Sequence, residues 1–409
     1  MTPANWLSLI IIILTLVGVT IGRYPVFRMN RATIVLVGST ILIIIGAITL
    51  DQAYSAIDLD TIVLIFAMMI LNINLRLAGF FSLITSKITK FAHTPGQLLL
   101  IIIFTSGILS AIFLNDTIVL MLTPLILEIV VALRLNPLPY LMALATAANV
   151  GSVATIVGNP QNMLIGISSG ISFNDFFIRL FPVAFVGLII IWIVIYILYK
   201  KEFQSKKPFD RIEINYKIYR PLLIKSTIAV VLMIILFISN APVPLAALGA
   251  ASFLLFTRRL KPERVFREVD WSILVFFSGL FIVTASIETS GLLKYLMEYS
   301  GRFFQEGIVS LAVSSAVLSN LVSNVPAVML LKQFIPLFDN PNIGWLTLAM
   351  ATTFAGNFTL LGSVANLIVA ETSKHNGVHL SFKEYLKAGI PITILSLITG
   401  IIWLSFLPY

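Results

Sequence analysis

An all-α membrane protein of many spans is the fold this sequence predicts, and three observations predict it. Hydrophobic residues make up 58% of the chain and charged ones 11%, with a mean hydropathy of +1.01, too apolar for a soluble globule. Uncharged runs of about 18 residues or more, long enough to cross a bilayer as helices, recur from end to end. Such runs do not suit an outer-membrane barrel, whose strands are about 10 residues of alternating character.

Taken in order, helices are expected near 6–21, 32–50, 61–78, 140–170, 176–199, 222–239, 244–257, 271–289, 345–373 and 389–408. Trp6–Ile21 has no Lys or Arg before it, so it reads as a retained span rather than a cleaved leader. Two further apolar blocks, 97–133 and 307–338, are each split by a polar tip: Leu114-Asn115-Asp116-Thr117 and Ser323-Asn324-Val325-Pro326. Each block is either two full spans or a re-entrant hairpin. An 18-residue limb is about 27 Å long, so length alone does not choose. Segments 82–92 and 292–304 precede the blocks and look amphipathic, as interfacial connectors would.

Either reading of the blocks puts all but four of the 27 Lys and Arg on the side of the 22–31 loop; the exceptions are Arg179, Lys294, Arg302 and Lys332. By the positive-inside rule that side is cytoplasmic. A multi-pass protein of the cytoplasmic membrane with both termini outside is therefore expected, its linker 200–220 cytoplasmic. Every basic cluster abuts a span, so the +9 net charge reflects topology and no nucleic-acid partner is expected. Whether a soluble ATPase docks on the basic face stays open.

The linker separates similar halves. IDLDTIVLIF (57–66) precedes REVDWSILVF (267–276) by 210 residues. LSAIFLNDTIVLML (109–122) precedes LSNLVSNVPAVMLL (318–331) by 209. TIVGNPQNMLI (155–165) precedes TLLGSVANLIV (359–369) by 204. Three matches in one order at nearly one offset indicate an internal repeat. Residues 1–199 would form one unit, with hairpin 97–133 and broken helix 140–170. Residues 221–409 would form the second, with hairpin 307–338 and broken helix 345–373. Five crossings per unit turn the second upside down, an inverted repeat whose site lies where broken helices meet at mid-membrane.

Chemistry concentrates at the tips and breaks. In GNPQN, Pro160 lacks an N–H and should free the Ile156 carbonyl; Asn159 is pushed out of the α region; Gly158 tolerates the result. Opened helix ends offer carbonyls to cations and N–H groups to anions. The second break, GSVAN, has no proline and should be milder, leaning on Asn357, Gly362, Ser363 and Asn366. Asp116 is an ionisable group in an apolar block, expensive there and thus a candidate for cation or proton coupling; a solvated turn is the alternative. Asp60 and Asp270 read as helix caps. No cysteine and only three histidines, all in loop-like sequence, leave no thiolate or histidine metal site. No nucleophile, metal or paired-acid constellation for an enzyme falls within a span. A channel would need a continuous polar stripe, which is missing.

The segments LNDTIVLMLTP, GNPQNMLIG, SNLVSNVPAVML and AGNFTLLGSVANLIVAE, in this order, resemble the ion transporter superfamily across essentially the whole chain. The nearest pattern is the arsenite permease and NhaD-type antiporter group, related to citrate and dicarboxylate carriers. The resemblance implies about 10 transmembrane helices plus two re-entrant hairpins, a dimerising scaffold and elevator-like alternating access. It also implies two related ion sites: Asn115, Asp116, Thr117, Gly158, Asn159 and Asn162; and Ser323, Asn324, Gly362, Ser363 and Asn366. These tips differ from the Ser-Asn-Thr tips of dicarboxylate carriers. An acidic tip suits proton or cation exchange. The expected function is secondary active transport driven by the proton-motive force, with a small inorganic anion such as arsenite as substrate. Alternatives are a sodium–proton antiporter and a sodium-coupled di- or tricarboxylate symporter. No cofactor is expected beyond Na+ or H+ as coupling ion, Na+ at the same residues.

Overall fold

The computed structural model describes residues 3–24, 29–204, 209, 218–256, 261–292 and 307–407. The first half runs α1 (Pro3–Ile21), a ribbon of β1 (Arg23–Tyr24) and β2 (Met29–Asn30), α2 (Arg31–Ile44), α3 (Leu50–Ala56), α4 (Leu59–Ala78), α5 (Phe80–Phe91), α6 (Pro95–Ile112), α7 (Asn115–Ala132), α8 (Pro137–Ser152), α9 (Pro160–Ser169) and α10 (Phe173–Leu198). After α11 (Lys200–Phe203) the second half runs α12 (Arg220–Ile238), α13 (Val243–Leu255), α14 (Pro262–Arg267), α15 (Trp271–Thr289), α16 (Ile308–Val322), α17 (Asn324–Leu331), a 3-10 turn (Lys332–Leu337), α18 (Pro341–Ala355), α19 (Val364–His375) and α20 (Phe382–Phe406).

Helix starts follow local chemistry. Asn30, Asp58, Thr94, Asn136, Ser172, Asn340 and Ser381 each accept a hydrogen bond from an N–H of the first turn, satisfying donors that have no partner inside the helix. Proline occupies the first turn of α6, α8, α9 and α18, where a missing N–H costs nothing.

Several expectations need correction. The helix expected over 32–50 stops at Ile44; Gly46 takes φ 74°, and a Thr49–Gln52 capping box starts α3. Asp58, rather than Asp60, caps α4, while Asp270 does cap α15. The helix expected at 389–408 starts earlier, at Phe382, because Ser381 caps it. The break expected at GNPQN is present, but it begins earlier, since α8 has already ended at Ser152, and Pro160 opens α9. The proline-free break is no milder, spanning 356–363 against 153–159 in the first. The linker 200–220 and the segment 292–304 lie largely outside the described residues.

Among the described residues, seven helices are long and apolar enough to cross a bilayer, two of them the limbs α6 and α7; Trp6–Ile21, Arg31–Ile44, Val243–Leu255 and Ile308–Val322 are shorter apolar helices. The molecule is an all-α polytopic membrane protein. Its outer surface carries Leu, Ile and Phe side chains, such as Ile10, Leu14, Ile178, Ile197, Ile235 and Ile402, as a lipid solvent requires. Inside, α6 packs on α8, α16 on α18, α10 on α20, α2 on α15, and α4 on α12 and α13. α6 and α8 touch backbone to backbone: a Cβ on Gly151 would lie 2.2 Å from the Gly107 carbonyl oxygen, the close approach that small residues allow between membrane helices. The α5 face of Phe81, Thr85 and Ile88 is buried, as an amphipathic connector predicts. α7 packs on α19 and α9 on α17, so each tip-bearing limb meets the half-helix beyond the other half's break.

Candidate functional site

The two breaks are built alike. The Asn162 Nδ2 donates to the carbonyls of Ser152 (3.1 Å) and Thr155 (3.0 Å). The Asn366 Nδ2 donates to those of Gly356 (2.7 Å) and Thr359 (3.1 Å). All three positions differ by 204 residues. These carbonyls, freed by an interrupted helix, are thus capped by an amide from the next half-helix, which spares them the cost of an unpaired buried acceptor. Asn159 caps α9 through the Asn162 N–H (2.8 Å), and Ser363 caps α19 through the Ala365 N–H (3.2 Å).

Cross-bonds join the breaks. Asn159 Nδ2 donates to Thr353 Oγ1 (3.3 Å), and Ser363 Oγ donates to Asn149 Oδ1 (3.0 Å); these pairs also match at 204 residues. Asn149 is the hub: it accepts a bond from Asn115 Nδ2 (3.0 Å) and donates to Asn357 Oδ1 (2.8 Å) and Asn366 Oδ1 (3.1 Å). The first tip docks on the first break through the Asn115 N–H to the Gly158 carbonyl (3.0 Å). The second is held where Ser319 Oγ donates to Asn324 Oδ1 (2.5 Å) and to the Thr352 carbonyl (3.1 Å). Ser323 takes φ 79° and ψ 158°, a region that costs a non-glycine residue about 1–3 kcal/mol.

A cavity of about 330 Å³ lies between these parts. Of the eleven sequence candidates, Asn115, Asp116, Ser323, Asn324 and Ser363 line it. Thr117 instead lines a neighbouring cavity of about 200 Å³, with Asn72, Arg76 and Glu268; Asp116 and Asp270 border both. Asn72 Nδ2 donates to Thr117 Oγ1 (3.3 Å), and Arg76 and Glu268 form an ion pair there. Gly158, Asn159, Asn162, Gly362 and Asn366 line neither cavity. They sit behind the wall and hold it in place. Gly158 is needed for space rather than for φ, since a Cβ there would lie 2.3 Å from the Ser152 carbonyl oxygen.

Residues near the starts of six helices form the wall: Arg31 and Ala32 of α2, Asn115 and Asp116 of α7, Pro160 and Gln161 of α9, Ser272 and Ile273 of α15, Asn324 and Val325 of α17, and Val364 of α19. Helix N-termini carry partial positive charge and unpaired N–H groups. α17 starts without a side-chain cap, whereas at α7 the Asn115 N–H goes to the Gly158 carbonyl and the Asp116 N–H to Asn115 Oδ1 (2.9 Å). Arg31, Asp116 and Asp270 all border this one cavity. Sequence reasoning missed Arg31, Gln161 and Asn149, and treated Asp270 as a cap alone. The signal for Asn149 was present, an amide inside an otherwise apolar helix.

The comparisons fit this architecture. Residues 9–355 match the family model described as citrate transporter (CitMHS). A 46 kDa membrane protein of Mycobacterium leprae is 29% identical, over 97% of this chain and 99% of its own length. The silicon efflux transporter LSI3 of Oryza sativa subsp. japonica is 28% identical, over 92% and 93%. A Dictyostelium discoideum protein described as a transporter, arsB, is 25% identical, over 91% and 86%. The fold resembles the crystal structure of the Alcanivorax borkumensis YdaH transporter, with a TM-score of 0.56 and 13% identity over 99% and 98% of the two chains. With most of its length matched, from a point within α1 to the end of α18, the chain belongs to the citrate transporter family.

Proposed function

We propose that this transporter carries a small oxyanion or its weak acid, of the arsenite and silicic acid kind, and couples its movement to a proton on Asp116. The convergence of six helix N-termini on one small cavity carries the reading. Such ends bind oxyanions through N–H groups and dipole, and the α17 start has no side-chain cap. The cavity is lined by Asn, Gln and Ser side chains that suit a hydroxylated solute. Arg31 is balanced against Asp116 and Asp270, which disfavours a trianion such as citrate. Relatives named for silicon efflux and as arsB support the same substrate class.

In this reading the halves form an inverted repeat, the tips are those of re-entrant hairpins, and the hairpins with the breaks move past the scaffold of α2, α4, α12, α13 and α15 as an elevator. The basic face is cytoplasmic. Asn115, Asp116, Ser323, Asn324 and Ser363 contact the solute, while Gly158, Asn159, Asn162, Gly362 and Asn366 position them. A sodium-coupled reading has one observation in its favour: Asn162 Oδ1 is buried without a hydrogen-bond partner, and such an oxygen suits a cation.

The test is flux into proteoliposomes of arsenite, sodium and succinate, each with and without a pH gradient. Arsenite flux that depends on the gradient, and in Asp116→Asn becomes gradient-independent, is the expected result. Gradient-driven arsenite flux in that variant equal to the parent's removes Asp116 from the mechanism; sodium-dependent succinate flux without arsenite flux favours the symporter.

A further inference from the structure

We infer that Arg31, which lies outside the tips and breaks, is the specificity-determining ligand for the anionic oxygen of the solute. The inference rests on the oxyanion reading above. Arg31 begins α2 directly after the β1–β2 ribbon, whose pair Arg23–Asn30 sets where α2 starts. Its Nε donates to the Val19 carbonyl (3.1 Å). The guanidinium lies over Gly22, where a Cβ would come within 3.5 Å of Nε and 3.7 Å of Nη2. A Cβ at those distances would make only ordinary contact, so it is the φ of 78° that favours glycine here.

The head group is therefore fixed through Nε, and its two Nη groups form no hydrogen bond recorded among the described residues. Asp116 and Asp270 line the same cavity, yet the ion pairs found among the described residues are Arg76–Glu268 and Lys387–Glu384. Asp270 already accepts from the Ser272 N–H (3.0 Å). Among the described residues, Arg31 is the one cationic side chain in the cavity wall. An anchored guanidinium with its outer edge open matches two oxygens of an oxyanion, a geometry an ammonium does not reproduce. The solute that fits both walls has an anionic or lone-pair oxygen for Arg31 and a hydroxyl that donates to Asp116. Arg31 thus favours a solute oxygen that carries charge over a neutral hydroxyl, without excluding the neutral acid.

The experiment is arsenite counterflow in proteoliposomes at one fixed, near-neutral pH. Two competitors are used: formate, an ionised oxyanion, and boric acid, an uncharged hydroxy acid. For the parent, both compete. In Arg31→Gln, formate competition should weaken about tenfold or more, the scale of one lost charge-assisted hydrogen bond, while boric acid competition stays within about twofold. Arg31→Lys, which keeps the charge, should fall between and serves if the glutamine variant does not fold. Equal weakening of both competitors, or unchanged formate competition, in a folded variant overturns the assignment, as does formate failing to compete in the parent. A parent with no arsenite flux would instead refute the transport reading.

Discussion

Replacing Asn149 with leucine should cost more than any other single change at an amide in the core of the site. The side chain is 1% exposed and makes hydrogen bonds to Asn115, Ser363, Asn357 and Asn366. Ser363 Oγ keeps its bond from the Ala365 N–H. Asn115 Nδ2, Asn357 Oδ1 and Asn366 Oδ1 have no other recorded partner. Leaving a buried polar atom unpaired costs ~1–3 kcal/mol, so the three sum to roughly 3–9 kcal/mol, with water entry pulling toward the lower end. Against a folding free energy of about 5–15 kcal/mol, that is a large share. At about 2 °C per kcal/mol for large chains, even the lower end lowers Tm by about 6 °C. Thermal unfolding in detergent reads the shift, and flux reads the site. Asn149→Asp separates polarity from size: it accepts from Asn115 and Ser363 but turns oxygen against oxygen at Asn357 and Asn366, and it should lose nearly as much. A leucine variant within about 2 °C of the parent, with full flux, would refute the hub.

Other changes test neighbouring claims. Gly158→Ala forces a methyl to 2.3 Å from the Ser152 carbonyl oxygen and 2.8 Å from that of Ser110; both are backbone, so flux should be lost and protein yield reduced, and normal flux would show that the break adjusts. Ser323→Gly removes backbone strain of about 1–3 kcal/mol, so Tm should stay level or rise; a clear fall would mean the hydroxyl carries more than the strain costs. Arg76→Glu should slow flux by placing like charge beside Glu268, and the double variant Arg76→Glu, Glu268→Arg should restore it. Because the pair is about a third exposed, Tm should move by no more than about 1 kcal/mol-equivalent for loss of the pair; failure of the double variant to recover flux would detach the pair from the second cavity.

Legibility followed range. The tips and breaks were readable because a proline, a glycine and clustered amides in apolar sequence are local signals, and the matching offsets added a second, independent one. Element ends were missed at Ile44 and Phe382, although Gly46 and the capping Ser381, which decide these boundaries, lie close beside them in the sequence. The division of labour among the candidates was not readable. Asn162 and Asn115 look alike in sequence, yet one ties down carbonyls behind the wall and the other lines the cavity. Arg31 escaped notice because its relevance depends on the start of α2 bordering the same cavity as the first tip, two positions far apart in the chain. Read along the chain, it is one more basic residue at a membrane face.

The two tips are chemically unequal. Asp116 and the residue 209 positions on, Val325, both border the cavity, so only the first of the two tips brings a carboxylate to it. This limits the work a cycle can do. If Asp116 carries the coupling proton as proposed, one proton moves per solute, and each unit of pH difference sustains about a tenfold ratio of an uncharged solute when there is no membrane potential. Had the acid been kept in both tips, two protons would square that ratio. Placing Asp at Val325 would thus raise the thermodynamic ceiling of the carrier, while loss of Asp116 would reduce it to equilibration.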